Sequence, residues 1–330
     1  MKPKIAISMG DPAGISPEVI ALTLEEIADR SSATIFGHRP TMESVMDGKH
    51  RAIIDWTLLP NETQEGRVAF VHCGTSGLPI ESVGPECADA QLAALSKATD
   101  AILKGEAAAL VTAPVAKNAI AAILPCFMGH TEYLAERAGL ETDDVTMLFA
   151  ADNLSVGLVS THIAMTEVPS AVTPKRLLRT FLHVVEMLRL TRPNERPKIA
   201  IAGLNPHAGE DGLFGTEEQT VIEPFCKEAA AMDIADVFGP LPADTLFRDA
   251  FRGKFDGVVS MYHDQAMIPV KLGGVGQTVN VTMGLPFIRT SPDHGTAYDI
   301  ARKGLADPAG FRTAFRLAVA MAEAPKMKNG

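Results

Sequence analysis

The chain has 330 residues, 46% of them hydrophobic, and carries 30 Lys and Arg against 40 Asp and Glu for a formal net charge of −10. That length exceeds one ordinary core and suits two domains or one large α/β unit, and the acidic balance argues against a nucleic-acid-binding surface. No apolar run approaches membrane-spanning length, no amino-terminal stretch has a signal-peptide pattern, and the four cysteines form no CxxC pair, so a cytoplasmic protein with reduced thiols is expected.

Strand-like and helical runs alternate along the chain. Lys4–Met9 reads as a first strand and Ser16–Arg30 as a helix, with Ser16 as N-cap and Pro17 at its first position. Further strands are expected at Ala33–Gly37, Val68–His72 and Ala109–Ala113, with a helix over Asp89–Gly105. Residues 38–67 are polar and irregular and read as loop. Glu132–Ala138 reads as a short helix, and Thr146–Ala151 and Ser155–Ser160 as strands around an Asp152-Asn153 hairpin turn. Thr173-Pro174 opens an amphipathic helix to Leu190, and Lys198–Leu204 is a strand. Thr216-Glu217-Glu218-Gln219 has the form of a capping box at the start of another helix. Asp256–Tyr262 and Thr278–Met283 are later strands, Pro308–Ala324 is an amphipathic helix, and Lys326–Gly330 reads as a frayed tail. The pattern is α/β, with a mixed sheet expected in the middle.

Three histidines follow apolar, strand-like runs: His162 after SVGLVST, His207 after KIAIAGLNP and His263 after GVVSMY. Ligands in open α/β sheets sit outside the carboxyl ends of such strands. Three imidazoles delivered there are able to hold one divalent metal and leave positions open for substrate. A lone histidine at such a place is more often packed or solvated. The turn-rich Asn205–Glu210 and the polar break at Tyr262-His263-Asp264-Gln265 favour a ligand role.

Lys271, Asn280 and Arg289 lie in a later glycine-rich stretch, where a cation set in apolar sequence calls for an anionic partner. Arg and Lys with amide or hydroxyl donors suit a phosphate or carboxylate, the alternative being an Arg paired with a structural Asp. No GxGxxG follows any expected strand, so a Rossmann nucleotide site is not supported. The first loop, Gly10–Glu18, joins a strand to a helix start and presents free N–H groups, for structure or for an anion.

MGDPAGISPE (Met9–Glu18), GHTE (Gly129–Glu132), LNPHAGE (Leu204–Glu210), GPLPADTLF (Gly239–Phe247), YHDQ (Tyr262–Gln265) and GLPFIRTSPDHGTA (Gly284–Ala297) together resemble the 4-hydroxythreonine-4-phosphate dehydrogenase family. The matches run in order from residue 4 to about residue 320. More distantly, the opening loop and HGTAYDIARKGLADP resemble the isocitrate and isopropylmalate dehydrogenases. The fold implied is a two-domain α/β/α sandwich of that type, not a Rossmann fold. One domain would be residues 1–128 with 285–330, carrying the cofactor loop; the other, residues 129–284, would carry the metal site and dimer interface.

The resemblance implies an NAD- and divalent-metal-dependent homodimer (zinc, cobalt or magnesium) with its active site shared between subunits, acting on a small phosphorylated substrate and not on nucleic acid or membrane. It places the metal on His162, His207 and His263 of the partner subunit, and substrate contacts on His130, Thr131, Lys271, Asn280 and Arg289. The NAD loop would use His294, Gly295, Thr296, Ala297, Asp299 and Asp307, and Asp244 and Asp264 are candidates for orienting the histidines or relaying the proton. The expected reaction oxidises the 3-hydroxyl of 4-hydroxy-L-threonine 4-phosphate and then decarboxylates the product to 3-amino-2-oxopropyl phosphate, in pyridoxal 5'-phosphate biosynthesis. Gly212-Leu213-Phe214-Gly215 instead resembles relatives that oxidise 4-phospho-D-threonate or 4-phospho-D-erythronate. A phosphotransacylase of the same superfamily would need neither metal nor NAD, and a metal-binding protein without catalysis would not need the substrate and cofactor segments. Residues 38–67 and Ala119–Phe127 depart from the family pattern, away from the site.

Overall fold

The computed structural model describes residues 2–57, 66–75, 85–151, 154–273 and 278–324. In chain order its strands are β1 (Lys4–Ser8), β2 (Ser32–Gly37), β3 (Ile54–Asp55), β4 (Val68–His72), β5 (Ala109–Thr112) and β6 (Thr146–Ala151). They continue as β7 (Leu154–Leu158), β8 (Lys198–Ala202), β9 (Asp236–Leu241), β10 (Gly257–Ser260), β11 (Val279–Met283) and β12 (Ile288–Pro292). The chain divides into two compact units, Met1–Thr142 with Leu285–Glu323, and a second built on Asp143–Gly284. The sequence places the first boundary at 128/129, whereas the chain divides after Thr142. Leu134, with Tyr133 beside it, packs into the core of the first unit and keeps this segment there.

In the first unit the strands run β3-β4-β2-β1-β5-β12, each paired parallel to its neighbours. Ala6, Phe36 and Leu110 pack with Leu95, Ala98 and Ile102 of the helix Pro85–Leu103. The alternate residues Ile5, Ile7, Ile35 and Val111 are also buried, so the sheet is covered on both faces. Chain order reverses on the two sides of β1, and the loops leaving β1 and β5 flank the crevice where such sheets bind ligands.

The second unit is mixed. Its order is β11-β6-β7-β10-β8-β9, with antiparallel β11/β6 and β6/β7 and parallel pairing from β7 onward. The helix Pro174–Thr191 is capped by Thr173, whose hydroxyl accepts from Arg176 N, and buries Leu177, Phe181, Val184, Val185 and Leu188 along one stripe. It lies on β7 and β10 where Gly157 and Gly257 leave room: a Cβ at either would stand 2.6 Å from a methyl of Val184. On the opposite face Val156, Leu158, Ala200 and Val258 meet Leu246, Phe247, Ala266, Met267 and Val270 of the helices Ala243–Phe251 and His263–Gly273.

Several expectations need correction. The first long helix is two, Ser16–Ala21 and Leu24–Arg30, broken at Leu22-Thr23, where the Thr23 hydroxyl donates back to Val19 O at 2.7 Å. Ile15, not Ser16, is its N-cap; the Ser16 hydroxyl donates to Pro114 O. Residues 38–67 are not all loop: they contain helices Arg39–Val45 and Gly48–Ile53 and strand β3, too short to show a period. The Thr216–Gln219 box is not formed. A wide turn, Glu218–Ile222, leads into Glu223–Ala231 without a side-chain cap, and the Glu218 carboxylate instead accepts from Leu204 N. The Asp152-Asn153 turn and the 326–330 tail lie outside the described residues.

One half-buried histidine sets an acid limit on stability. The His183 Nδ1 lies 2.8 Å from Thr146 Oγ1, and burial, then the Arg179 charge, bring its pKa down to about 4 from 6.5. A histidine depressed on folding binds its proton more readily in the unfolded chain, so stability is full above pH 6.5 and is lost as pH falls toward 4. The loss from this residue is on the order of 2–3 kcal/mol. His183→Gln should flatten urea-unfolding stability between those pH values; a slope identical to the unsubstituted chain would contradict this.

Candidate active site

β7, β10 and β8 are parallel neighbours in that order, and their carboxyl ends deliver His162, His263 and His207 respectively. His162 and His263 come together, with ring centroids 5.6 Å apart. Their strands pair with Ser260 opposite Leu158, so the two loops leave side by side within one chain. The two rings are neighbours within one chain, whereas the metal set implied by the resemblance uses His263 of the partner subunit. His263 Nδ1 lies 2.7 Å from Asp264 Oδ1. A carboxylate at Nδ1 holds the proton there and leaves Nε2 with its lone pair free for a metal.

His207 is 69% exposed and opens a left-handed turn, with φ of 54° at His207, 52° at Ala208, 81° at Gly209, 42° at Glu210 and 54° at Asp211. Among the described residues no three His, Cys, Asp or Glu side chains stand close enough to hold a metal together. The three imidazoles are nonetheless a donor set that fits a divalent ion, being ordinary nitrogen ligands with a carboxylate behind one of them.

Asp244, in the first turn of Ala243–Phe251, and Asp264 both line a groove of about 670 Å³ with Tyr262, Gln265, Phe247 and Leu272. Lys271 sits in the last turn of the helix that His263 begins and is exposed. Asn280 is on β11, and its Oδ1 is buried without a donor among the described residues.

The remaining anion-site residues belong to the first unit. Arg289 is 2% exposed and donates from Nε at 3.2 Å and Nη2 at 2.8 Å to Thr112 Oγ1. Burial brings its guanidinium down to about 10, while Glu132 opposes that fall. His130 begins the helix His130–Arg137. Burial, with the charges of Arg289 and Lys117, holds it well below the usual histidine range, hence neutral, and its Nε2 is buried without a partner among the described residues. Thr131 is buried beside it. Lys117 was missed in the sequence: a Cβ on Gly129 would lie 3.3 Å from its Nζ and 3.0 Å from Glu132 Oε2. The available signal was a cation in the first turn of Lys117–Ile123, where the helix dipole disfavours one.

The expected cofactor loop is bound to the first loop of the chain. Ile15 N donates to Thr296 O at 2.9 Å, and a Cβ on Gly14 would stand 2.5 Å from that oxygen, so Gly14 permits the close approach. The Tyr298 hydroxyl donates to Asp11 Oδ2 at 2.5 Å, and burial pushes both groups' pKa values up. Arg302 N donates to Glu18 Oε2 at 2.6 Å. Ala297 has a φ of 45°, Gly295 is open on its Cα face, and the His294 Nε2 is buried without a partner among the described residues. Asp299 is exposed, whereas Asp307 Oδ1 accepts from Ala309 N at 2.9 Å and so caps the helix Ala309–Glu323. An exposed glycine-bearing loop with a ring nitrogen unpartnered among the described residues leaves room for a dinucleotide.

The sequence profile described as "Pyridoxal phosphate biosynthetic protein PdxA" matches residues 29–318. The chain belongs to this family. It is 41% identical to a 4-hydroxythreonine-4-phosphate dehydrogenase of Geobacter metallireducens, over 97% of this chain and 96% of the relative. It is 37% identical to a D-threonate 4-phosphate dehydrogenase of Pectobacterium atrosepticum, over 96% of this chain and 99% of that one. A crystal structure of 4-hydroxythreonine-4-phosphate dehydrogenase from Klebsiella pneumoniae superposes with a TM-score of 0.81 at 34% identity, covering 98% of this chain and all of its own. Isocitrate dehydrogenase from Methylococcus capsulatus shares the fold alone, with a TM-score of 0.51 at 15% identity.

Proposed function

We propose that this chain is a dehydrogenase of a phosphorylated four-carbon hydroxy acid, oxidising the 3-hydroxyl of 4-hydroxy-L-threonine 4-phosphate. The observation that carries this reading is the His162–His263 pair backed by Asp264, in a chain of the PdxA family. A divalent metal (zinc, cobalt or magnesium) held by His162, His207 and His263 of the partner subunit, in an active site shared across the homodimer, would polarise the substrate hydroxyl, and NAD on the His294–Asp307 loop would supply the hydride acceptor.

The chain's own residues bind and orient the substrate. Arg289, with neutral His130 and Thr131, faces one anionic end of the substrate, and Lys271 and Asn280 supply further donors. Asp264 is committed to the Nδ1 of His263 and fixes that ring. Asp244, at a helix N-terminus in the groove, is then the group that receives the hydroxyl proton. Oxidation at C3 removes one hydride and one proton and leaves a β-keto acid. Its C1–C2 bond breaks with release of CO2, the bonding pair passing into an enolate of the C3 ketone that takes up a proton at C2, giving 3-amino-2-oxopropyl phosphate for the pyridoxal ring.

A homodimer in the cytoplasm belongs to the same proposal. Phe251, Ile268 and Leu272 present an apolar face along the Asp244–Leu272 groove, suited to a second copy, and the cysteines are free thiols. Among the described residues no helix is long and apolar enough to cross a membrane. The Pectobacterium atrosepticum relative supports a second reading, with a hydroxyl in place of the amine at C2. NADH formation with 4-hydroxythreonine 4-phosphate, 4-phospho-D-threonate and 4-phospho-D-erythronate decides between them. The first should have the highest kcat/KM; a preference for either sugar acid favours the second reading, and no turnover of any of the three removes both.

A further inference from the structure

Two acidic side chains of the first loop, neither among the residues expected to touch a ligand, grip the expected cofactor loop at two points. Asp11 is 1% exposed. Its Oδ1 accepts from Ala13 N at 2.8 Å, and its Oδ2 accepts from the Tyr298 hydroxyl. Glu18 is 9% exposed; its Oε2 accepts from Arg302 N at 2.6 Å and its Oε1 from Gly304 N at 3.4 Å. Arg302 Nη2 returns a bond to Pro12 O at 2.9 Å. The first loop is itself fixed to the sheet. Asp11 N donates to Pro114 O at 2.8 Å, just beyond β5, and Ser16 Oγ donates to the same oxygen. Gly10, at a φ of 69°, allows this approach, since a Cβ there would stand 2.2 Å from Pro114 O.

The gripped segment needs support. Thr296–Gly304 forms no strand or helix, and Ala297 and Arg302 take φ values of 45° and 60° without being glycine. Such conformations persist only where surrounding bonds over-determine them. Asp11 holds the residue after Ala297, and Glu18 holds Arg302 itself. Each carboxylate uses both oxygens on protein donors, so neither is presented to a ligand.

We infer that Asp11 and Glu18 are positioning residues that pre-form the His294–Asp307 loop for the dinucleotide, Asp11 through the Tyr298 hydroxyl and Glu18 through the amides of Arg302 and Gly304. The inference rests on the proposed binding of NAD at that loop. Ordering a loop before its ligand arrives removes the ordering cost from the binding step, so loosening it should weaken dinucleotide binding and leave the Arg289 anion site as it is.

The test is equilibrium dialysis of NADH against the full-length protein, beside thermal melting and KM values for both substrates. Tyr298→Phe keeps a ring at a position 40% exposed and removes only the hydroxyl, while Asp11→Ala removes the carboxylate. Each should weaken NADH binding by about tenfold at temperatures where the chain is fully folded. KM for NAD should rise while KM for the phosphorylated substrate stays close to unchanged. The double variant should be no weaker than the weaker single one, because both break the same bond. Asp11→Asn still meets Ala13 N and the Tyr298 hydroxyl and should restore most of the affinity. Unchanged NADH affinity in the folded single variants would overturn the inference, as would additive losses in the double variant. Should Asp11→Ala fail to fold, Glu18→Ala against Glu18→Gln decides. The first should weaken NADH binding, and the second, which keeps an oxygen for Arg302 N, should recover much of it; equal affinities would overturn the inference. No NADH binding by the unsubstituted chain would instead remove the NAD reading itself, a distinguishable result.

Discussion

Arg289→Met lowers kcat/KM for the phosphorylated substrate by about two to three orders of magnitude, mostly through KM, and leaves KM for NAD close to unchanged. The size follows from burial. The guanidinium is 2% exposed and anchored to Thr112, beside the neutral His130, whose Nε2 has no partner among the described residues. A charged hydrogen bond to substrate in such a place is worth about 2–5 kcal/mol when one partner is truncated. Methionine fills most of the volume and removes a cation that is costly to bury, so the thermal midpoint should not fall with activity. Steady-state kinetics in both substrates, beside a thermal melt, checks this. An effect confined to NAD binding would show that Arg289 serves the cofactor and not the substrate anion.

His207→Asn has a comparable effect by a different route. It should abolish metal-dependent turnover, by about 10³-fold or more, since a metal's polarisation of the hydroxyl is worth several kcal/mol. The substitution is chosen for the backbone: His207 has a φ of 54°, which asparagine tolerates better than alanine, and its side chain is 69% exposed. The fold should therefore survive. Equal turnover of the variant in a metal-replete assay, at an unchanged thermal midpoint, would remove His207 from the metal set.

What the sequence disclosed follows from what each residue faces. β1, β2, β4, β7 and β10 are legible because buried parallel strands are written as short continuous apolar runs. β12 was unread because IRTSP is polar; its Arg289, Thr290 and Ser291 are buried by spending their polar groups on Thr112, Ala314 O and their surroundings. The helix His263–Gly273 is hard to read because Pro269 interrupts its interior. The histidines were visible as strand-end residues, yet the meeting of His162 and His263 depends on β7 and β10 being neighbours, which no local spacing records. Asp11 and Glu18 lay inside a recognised segment. Their work became visible only with the bonds to Tyr298, Arg302 and Gly304, distant in sequence.

The most direct measurement of the proposed chemistry is NADH formation from 4-hydroxythreonine 4-phosphate by the full-length protein, before and after treatment with a metal chelator. Metal- and NAD-dependent oxidation predicts turnover that the chelator abolishes and that added zinc, cobalt or magnesium restores. Turnover that persists at full rate in metal-stripped protein would contradict it.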